Sequence, residues 1–208
     1  MRKRSGRPSE RSMGTGTALV LIDVINAFDF EGAESLVRAA KRVAPTIERL
    51  AARARKSGVP VIYVNDNFGR WRSDFKSTVA ICTKPGQPGR EIATLLRPHE
   101  GDYFVLKPQH SGFYFTALEP LLMHLDTRSL ILTGFAGNLC VLFTANDAHM
   151  RGFHVVVPSD CTASNTPALT RSTLAHVEVA LHGVVKSSVS LDFARLARRP
   201  RKPRGQTF

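Results

Sequence analysis

Cys140 is the residue whose type and position most directly suggest chemistry in this chain. It follows a short apolar run at residues 130–132 and a Gly-containing turn, and it stands at the start of a helix predicted over residues 138–151. A thiol there lies near the positive end of the helix dipole, which favours the thiolate, and free backbone N–H groups of a first helical turn can hold an oxyanion. The alternative interpretation is a buried structural cysteine in a β-α-β unit.

Asp23 and Lys107 are two further candidates because each comes at the end of a predicted strand. Asp23 lies near the end of the apolar run 17–24, and Lys107 directly follows the run 103–106. In open parallel sheets the carboxyl ends of the strands meet at one edge, where ligands bind. A carboxylate there could accept the thiol proton, and an ammonium group would stabilise the thiolate and the anion formed later. Taken singly, the aspartate is more typical of a turn and the lysine of a charged surface.

The elements that must position these residues alternate along the chain. Apolar runs predict six strands, which begin near residues 17, 59, 103, 130, 155 and 184. Helices are predicted between them, and the helix over residues 33–56 is expected in two pieces because Pro45 interrupts it. Thr116 and Glu119 have capping-box spacing for a helix over 117–125, while Thr166-Pro167 is typical of an N-cap and a first-turn proline. This order predicts an α/β fold, a doubly wound, Rossmann-like three-layer sandwich with a six-stranded parallel sheet.

The net charge of +12 is concentrated at the two ends of the chain. Residues 1–12 hold five Lys or Arg and one Glu, and residues 195–208 hold six Lys or Arg and no acidic residue, which leaves +2 for the body. Both ends lack apolar periodicity, so we predict disordered basic tails at 1–13 and 195–208 and one folded domain at 14–194. The tails have no interleaved aromatic residues, which favours solvated tails with weak polyanion contacts over a nucleic-acid site.

Several other function classes are disfavoured by the sequence. No apolar run approaches the ~20 residues of a membrane span, and no apolar segment of a secretory signal follows the N-terminus. Three widely spaced cysteines suit a reducing compartment, so a cytoplasmic protein is expected, with Cys82 and Cys161 as structural residues. No GxGxxG, Walker A or GxSxG sequence is present, and the seven histidines, including His110 in a predicted loop, lack metal-ligand spacing. We therefore expect neither a cofactor nor a metal.

Four sequence blocks, in order, resemble the isochorismatase-like cysteine hydrolases, and the resemblance extends from residue 18 to about residue 189. The first is LIDVINAF, which contains Asp23. The second is the polar and aromatic loop that follows the second strand. The third is VLKPQHSGFYFTAL, which contains Lys107. The last is LTGFAGNLCVLFTANDAHMRGFHVVVPSDCTAS, which contains Cys140.

This resemblance implies a Cys-Asp-Lys triad of Cys140, Asp23 and Lys107 that hydrolyses C–N bonds of small amides, ureides or carbamoyl compounds. It also implies a non-proline cis peptide at Phe135–Ala136, which would aim the Ala136 N–H, with that of Cys140, at the oxyanion. Family members commonly assemble, so a homodimer or homotetramer is expected. Aromatic and polar residues suited to a small-molecule pocket are expected to line the substrate site: Asn67, Phe68, Trp71, Phe113 and Phe135.

Three positions differ from those of particular family members, and they bear on the substrate contacts, the metal dependence and the type of reaction. Ile25 stands where many members have Gln. Phe68 occupies a position where nicotinamidases have a metal-binding His, which disfavours a metal-dependent nicotinamidase. Isochorismatases proper lack the nucleophile, so Cys140 disfavours vinyl-ether hydrolysis. Two alternatives remain open: isochorismatase-type hydrolysis of a vinyl ether, and a non-catalytic binding protein of the same fold that uses its basic tails.

Overall fold

The computed structural model describes residues 15–69 and 74–198, and these residues form a parallel sheet with helices on both faces. The strands are β1 (Thr17–Ile22), β2 (Val61–Asp66), β3 (Tyr103–Lys107), β4 (Ser129–Phe135), β5 (His154–Pro158), β6 (Thr162–Ala163) and β7 (Val184–Lys186). The helices are α1 (Glu34–Lys56), α2 (Phe75–Cys82), α3 (Arg90–Leu95), α4 (Leu118–His124), α5 (Leu142–Met150), α6 (Pro167–Val179) and α7 (Phe193–Ala197). No helix within these residues is long and apolar enough to cross a membrane.

The sheet has the order β3-β2-β1-β4-β5-β7, and all of its paired strands are parallel. The two-residue strand β6 pairs with the end of β4 and makes a seventh strand beside the predicted six. Strand β1 lies at the centre, and every residue of it is buried, as expected of a strand covered on both faces. The predicted α/β class and doubly wound parallel sheet are confirmed.

Two apolar cores lie on opposite faces of the sheet because alternate residues of each strand point to opposite sides. Leu19 and Leu21 of β1 belong to one core, which includes residues of α1, α2, α3 and α7. Ala18, Val20 and Ile22 belong to the other, which includes residues of α4, α5 and α6. The helices are therefore held by burial on a rigid central layer, and the carboxyl ends of β1 to β4 open along one edge.

Two local predictions about helices are wrong. Pro45 does not divide α1, which runs unbroken from Glu34 to Lys56. Its buried stripe continues on both sides of the proline, through Ala44 and Ile47, so packing outweighs the lost backbone hydrogen bond. The capping box at Thr116 does not form either: the Thr116 hydroxyl donates to the Gly112 carbonyl and accepts from the Leu118 N–H, and the N-cap of α4 is Ala117. By contrast, the predicted N-cap at Thr166 is confirmed, with its hydroxyl accepting from the Leu169 N–H.

The end of the folded domain differs from the predicted boundary at residue 194. Helix α7 continues to Ala197, since Leu196 is buried and its carbonyl accepts a hydrogen bond of 2.9 Å from the Ser129 hydroxyl. These contacts join the last helix to the start of β4. The predicted N-terminal tail and the C-terminal tail beyond Arg198 lie outside the described residues.

Candidate active site

Asp23, Lys107 and Cys140 meet at the carboxyl edge of the sheet. Asp23 directly follows β1, Lys107 is the last residue of β3, and Cys140 lies in a π-helical turn, Gly137–Val141, between β4 and α5. The Lys107 Nζ atom lies 3.0 Å from Asp23 Oδ2 and 3.5 Å from Cys140 Sγ. An ammonium group therefore contacts both the carboxylate and the thiol, and the structure brings together the three residues predicted from the sequence.

Lys107 is a fully buried cation whose charge is kept by its neighbours. Its side chain is 0% exposed. Burial alone would lower the pKa of its ammonium group, but the Asp23 and Asp66 carboxylates and the Cys140 sulfur outweigh burial and raise the pKa above the usual value. Lys107 is consequently positive at any pH at which a protein of this kind works.

Asp23 is held in one geometry by the end of β2 and by Lys107 at the end of β3. Its backbone adopts φ 53, in the left-handed region, and its N–H donates to the Val64 carbonyl at 2.9 Å. Its Oδ1 atom accepts from the Asp66 N–H at 2.8 Å, which leaves Oδ2 for Lys107. Burial raises the pKa of Asp23, although Lys107 and a hydrogen bond from Cys140 oppose the increase. A strained backbone and a raised pKa are typical of a functional carboxylate and favour its role as a base.

The expectation of a depressed thiol pKa at Cys140 is wrong. Burial and the adjacent Asp23 carboxylate raise the pKa of Cys140 to about 12, and the attraction of Lys107 only partly offsets them. Cys140 therefore rests as a thiol, and such a thiol acts as a nucleophile only where a base takes its proton. The hydrogen bond between the thiol and Asp23 provides that base directly.

The turn that carries Cys140 depends on Gly134. A Cβ at this position would lie 2.0 Å from the Ile22 carbonyl oxygen, and the residue has φ 120. Only glycine allows β4 to approach β1 so closely just before the turn. The predicted cis peptide at Phe135–Ala136 is not present: no cis bond occurs in the described part of the chain, and Gly134 provides the change of direction. The Ala136 carbonyl instead accepts from the Leu139 N–H at 3.0 Å and so closes the turn.

Thr144 joins this turn to the loop that follows Lys107. Its hydroxyl donates to the Cys140 carbonyl at 2.7 Å and accepts from the Gly112 N–H at 2.9 Å. One fully buried side chain thus fixes the backbone of Cys140 relative to the loop that follows Lys107. Sequence reasoning did not single out Thr144, because its two partners lie on different segments.

Two of the five predicted pocket residues line a small cavity, whose lining includes none of Asp23, Lys107 and Cys140. Asn67 and Phe68 follow β2, and the cavity measures ≈ 40 Å³. The Phe68 ring is 44% exposed and its backbone has φ 51, which turns the chain sharply at this point. Asn67 is buried, and its Oδ1 atom accepts from the Gly69 N–H at 2.9 Å.

Two further predicted pocket residues, Phe113 and Phe135, are buried in the apolar cores. Phe135 is 0% exposed and packs against Phe28, and Phe113 is buried against Phe153 beneath the Arg151 guanidinium. Both belong to the apolar cores, so assigning them to the pocket was wrong. Ile25 is also fully buried, and Trp71 lies outside the described residues.

Asp66 is a site residue that sequence analysis missed. It is the last residue of β2 and the register partner of Lys107, and its Oδ2 atom lies 3.3 Å from Lys107 Nζ. The available signal was its position at a strand end, which was noted for Asp23 and Lys107 but not for Asp66. Within residues 15–69 and 74–198, no group of three or more His, Cys, Asp and Glu side chains is arranged to hold a metal ion.

Comparisons with known proteins show the family to which the chain belongs. The family model described as Isochorismatase domain matches residues 17–188. The uncharacterized isochorismatase family protein YaaI of Bacillus subtilis is 45% identical over 149 residues, which cover 72% of this chain and 81% of YaaI. Ureidoacrylate amidohydrolase RutB of Methylorubrum extorquens is 28% identical over 188 residues, covering 78% and 76% of the two chains.

Among solved structures, N-carbamoylsarcosine amidase from Thermoplasma acidophilum is similar with a TM-score of 0.65 and 27% identity. The match covers 85% of this chain and 98% of the amidase. Because the family model spans most of the sheet and all four residues at its carboxyl edge, the chain belongs to the isochorismatase family of hydrolases.

Proposed function

We propose that this protein hydrolyses a C–N bond of a small amide, ureide or carbamoyl compound through a thioester on Cys140. The observation that carries the proposal is the contact of one buried ammonium group with both a carboxylate and a thiol, at 3.0 Å and 3.5 Å. The relatives named for ureidoacrylate and N-carbamoylsarcosine support the carbamoyl class, since each name describes a compound with a C–N bond of that kind.

In the first half of the reaction, the Cys140 sulfur attacks the carbonyl carbon while Asp23 accepts the thiol proton. The carbonyl oxygen becomes an oxyanion, for which the backbone N–H of Cys140 in the Gly137–Val141 turn is the proposed donor. The C–N bond then breaks, and the protonated Asp23 gives its proton to the leaving nitrogen. Lys107 remains charged throughout and stabilises negative charge on the sulfur and the carboxylate.

In the second half, water replaces the leaving amine. Asp23, again a carboxylate, takes a proton from the water as its oxygen attacks the thioester carbon. The C–S bond breaks, the acid is released, and the sulfur recovers its proton from Asp23. The net reaction consumes one water and yields one amine or ammonia and one acid, and the enzyme returns to its initial state.

The test is release of ammonia or amine from a panel of N-carbamoyl amino acids, ureido acids and primary amides, with intact-mass spectrometry of rapidly quenched reactions. We expect an acyl adduct on Cys140 and a loss of at least about 10⁴-fold in kcat/KM for Cys140→Ala, because the covalent route disappears. The matched control is Cys161→Ala, since Cys161 is also buried but lies between β5 and β6, away from Lys107.

Near-normal turnover by Cys140→Ala would overturn the proposal, and so would an adduct that appears on Cys161 instead. Hydrolysis of a vinyl ether, with no activity on any member of the panel, would replace it with the isochorismatase-type reaction.

A further inference from the structure

We propose that Asp66 is a positioning residue of this active site. It acts through Lys107, because it holds the ammonium group in place and compensates part of its positive charge while Asp23 and Cys140 exchange a proton. This inference rests on the function proposed above. Asp66 Oδ2 lies 3.3 Å from Lys107 Nζ, so the buried cation has two carboxylate partners rather than one. A triad alone would leave Asp66 without a role.

The backbone N–H and both carboxylate oxygens of Asp66 have partners in the site. Its Oδ1 atom accepts from the Phe68 N–H at 2.7 Å, and its own N–H donates to Asp23 Oδ1 at 2.8 Å. In the β2–β3 ladder it faces Lys107 directly, and the Lys107 carbonyl accepts from the Asn67 N–H at 3.0 Å. The carboxylate is therefore fixed to the same backbone that carries the lysine.

Asp66 takes no part in the proton and acyl transfers of the proposed reaction. During the proposed reaction Asp23 alternates between carboxylate and acid, and the sulfur alternates between thiol and thioester. The titratable groups that face Lys107 are Asp23 after β1, Asp66 on β2 and Cys140 in the turn after β4. Of these three, Asp66 alone forms and breaks no bond, so it is the permanent counter-ion of Lys107.

Removing the charge of Asp66 should change the pKa values of Cys140 and Asp23 in one direction. A nearby negative charge disfavours ionisation of an acid, and Asp66 Oδ2 and Cys140 Sγ contact the same nitrogen. Without the Asp66 carboxylate, less of the positive charge of Lys107 is neutralised, and this charge favours the ionised forms of nearby acids. The pKa of the Cys140 thiol and the pKa of the Asp23 carboxyl should therefore both fall. Asp23 thereby becomes a weaker base, and Lys107 loses one of the two groups that hold its end in place.

The experiment compares Asp66→Asn with the unmodified enzyme in two assays. In the first, iodoacetamide alkylation of Cys140 is followed without substrate by peptide-resolved mass spectrometry across alkaline pH. We expect the apparent thiol pKa to fall by about one unit. At a fixed pH below that pKa the alkylation rate should rise about threefold, because the tenfold gain in thiolate is partly offset by lower nucleophilicity.

In the second assay, the pH profile of kcat/KM is measured on the best substrate of the panel. The acid limb of Asp66→Asn should move to lower pH, and the plateau should fall about tenfold as the base weakens. Asp66→Glu keeps the charge and should retain the unmodified alkylation pKa. Asp126→Asn removes the same charge from an exposed ion pair with Arg128 at the opposite edge of the sheet, and it should change neither assay.

If Asp66→Asn lowers activity or stability but leaves both the thiol pKa and the acid limb unchanged, the residue is merely structural and the inference is wrong. A rise in the thiol pKa would overturn it equally. Neither result affects the proposed function, which fails separately if Cys140→Ala remains active.

Discussion

Two buried ionic clusters occupy opposite edges of the same sheet. At the amino edge, the Arg55 cluster consists of Arg55, Tyr63 and Asp102. Arg55 donates to both oxygens of Asp102, at 3.1 Å and 2.8 Å, and to the Tyr63 hydroxyl at 3.2 Å. Tyr63 in turn donates to the Leu96 carbonyl at 2.9 Å, and burial raises the pKa of its hydroxyl, which keeps it neutral. One cation meets one carboxylate in a bidentate pair.

At the carboxyl edge, the Lys107 cluster consists of Asp23, Asp66, Lys107 and Cys140. One cation is shared by two carboxylates and a thiol, and the pKa values of both Asp23 and Cys140 are raised by burial. A single proton can therefore move between sulfur and carboxylate without changing the total charge. Burial of charge therefore does not by itself indicate function. A cation shared by two carboxylates and a thiol does, because the thiol can pass its proton to one of the carboxylates.

The largest expected effect is the loss of activity when the cation of the Lys107 cluster is removed. Lys107→Met should reduce kcat/KM by at least about 10³-fold, because loss of a preorganised charge from a buried site removes stabilisation of both the thiolate and the developing anion. Lys107 lowers the pKa of Asp23, so its removal raises that pKa further. Activity requires ionised Asp23, and the acid limb of kcat/KM should therefore move to higher pH, opposite to the shift expected for Asp66→Asn.

The control for this variant is the unmodified enzyme's own profile. Its acid limb should lie above pH 3.8, the usual pKa of an aspartate, because burial raises the pKa of Asp23. A profile for Lys107→Met with the same limb and a small loss of rate would mean that Lys107 does not act on Asp23.

The next largest effect is a loss of stability when the carboxylate of the Arg55 cluster is removed. This change should leave catalysis intact. Asp102→Asn deprives the Arg55 guanidinium of its carboxylate, and the cost should be about 2–4 kcal/mol of unfolding free energy, below the upper range for buried pairs because Arg55 is partly exposed. Urea denaturation at neutral pH measures the loss. The kcat/KM of the folded variant should match that of the unmodified enzyme, and a comparable fall in rate would show that the two edges are coupled.

The sequence allowed prediction of the edge on which the chemistry lies, because parallel strands place Asp23, Lys107 and Cys140 together whatever the exact strand lengths. It did not reveal the second partner of Lys107. That contact depends on the β2–β3 register, which pairs Asp66 with Lys107 and is set by packing on both faces. The sign of the Cys140 pKa shift was also inaccessible, since the helix dipole is local in sequence whereas burial and Asp23 come from the tertiary fold.

The smallest expected effect is the loss of stability when the Tyr63 hydroxyl is removed from the Arg55 cluster. Tyr63→Phe keeps the ring, which packs against Phe75 at 5.8 Å, and removes only the hydroxyl. The Leu96 carbonyl then loses its donor in a buried site, so we expect a loss of about 1–2 kcal/mol in urea denaturation. Tyr114→Phe, at a ring that is 47% exposed, is the matched control and should stay within about 0.5 kcal/mol.

A double-mutant cycle of Tyr63→Phe with Asp102→Asn measures whether the hydroxyl and the carboxylate stabilise the fold through the same guanidinium group. Both accept from Arg55 Nη2, at 3.2 Å and 2.8 Å, so their losses should not add, with a coupling of about 0.5 kcal/mol or more. Simple additivity would mean that Tyr63 and Asp102 stabilise the fold independently. The Arg55 cluster would then not act as a unit, in contrast to the Lys107 cluster, in which one cation is shared.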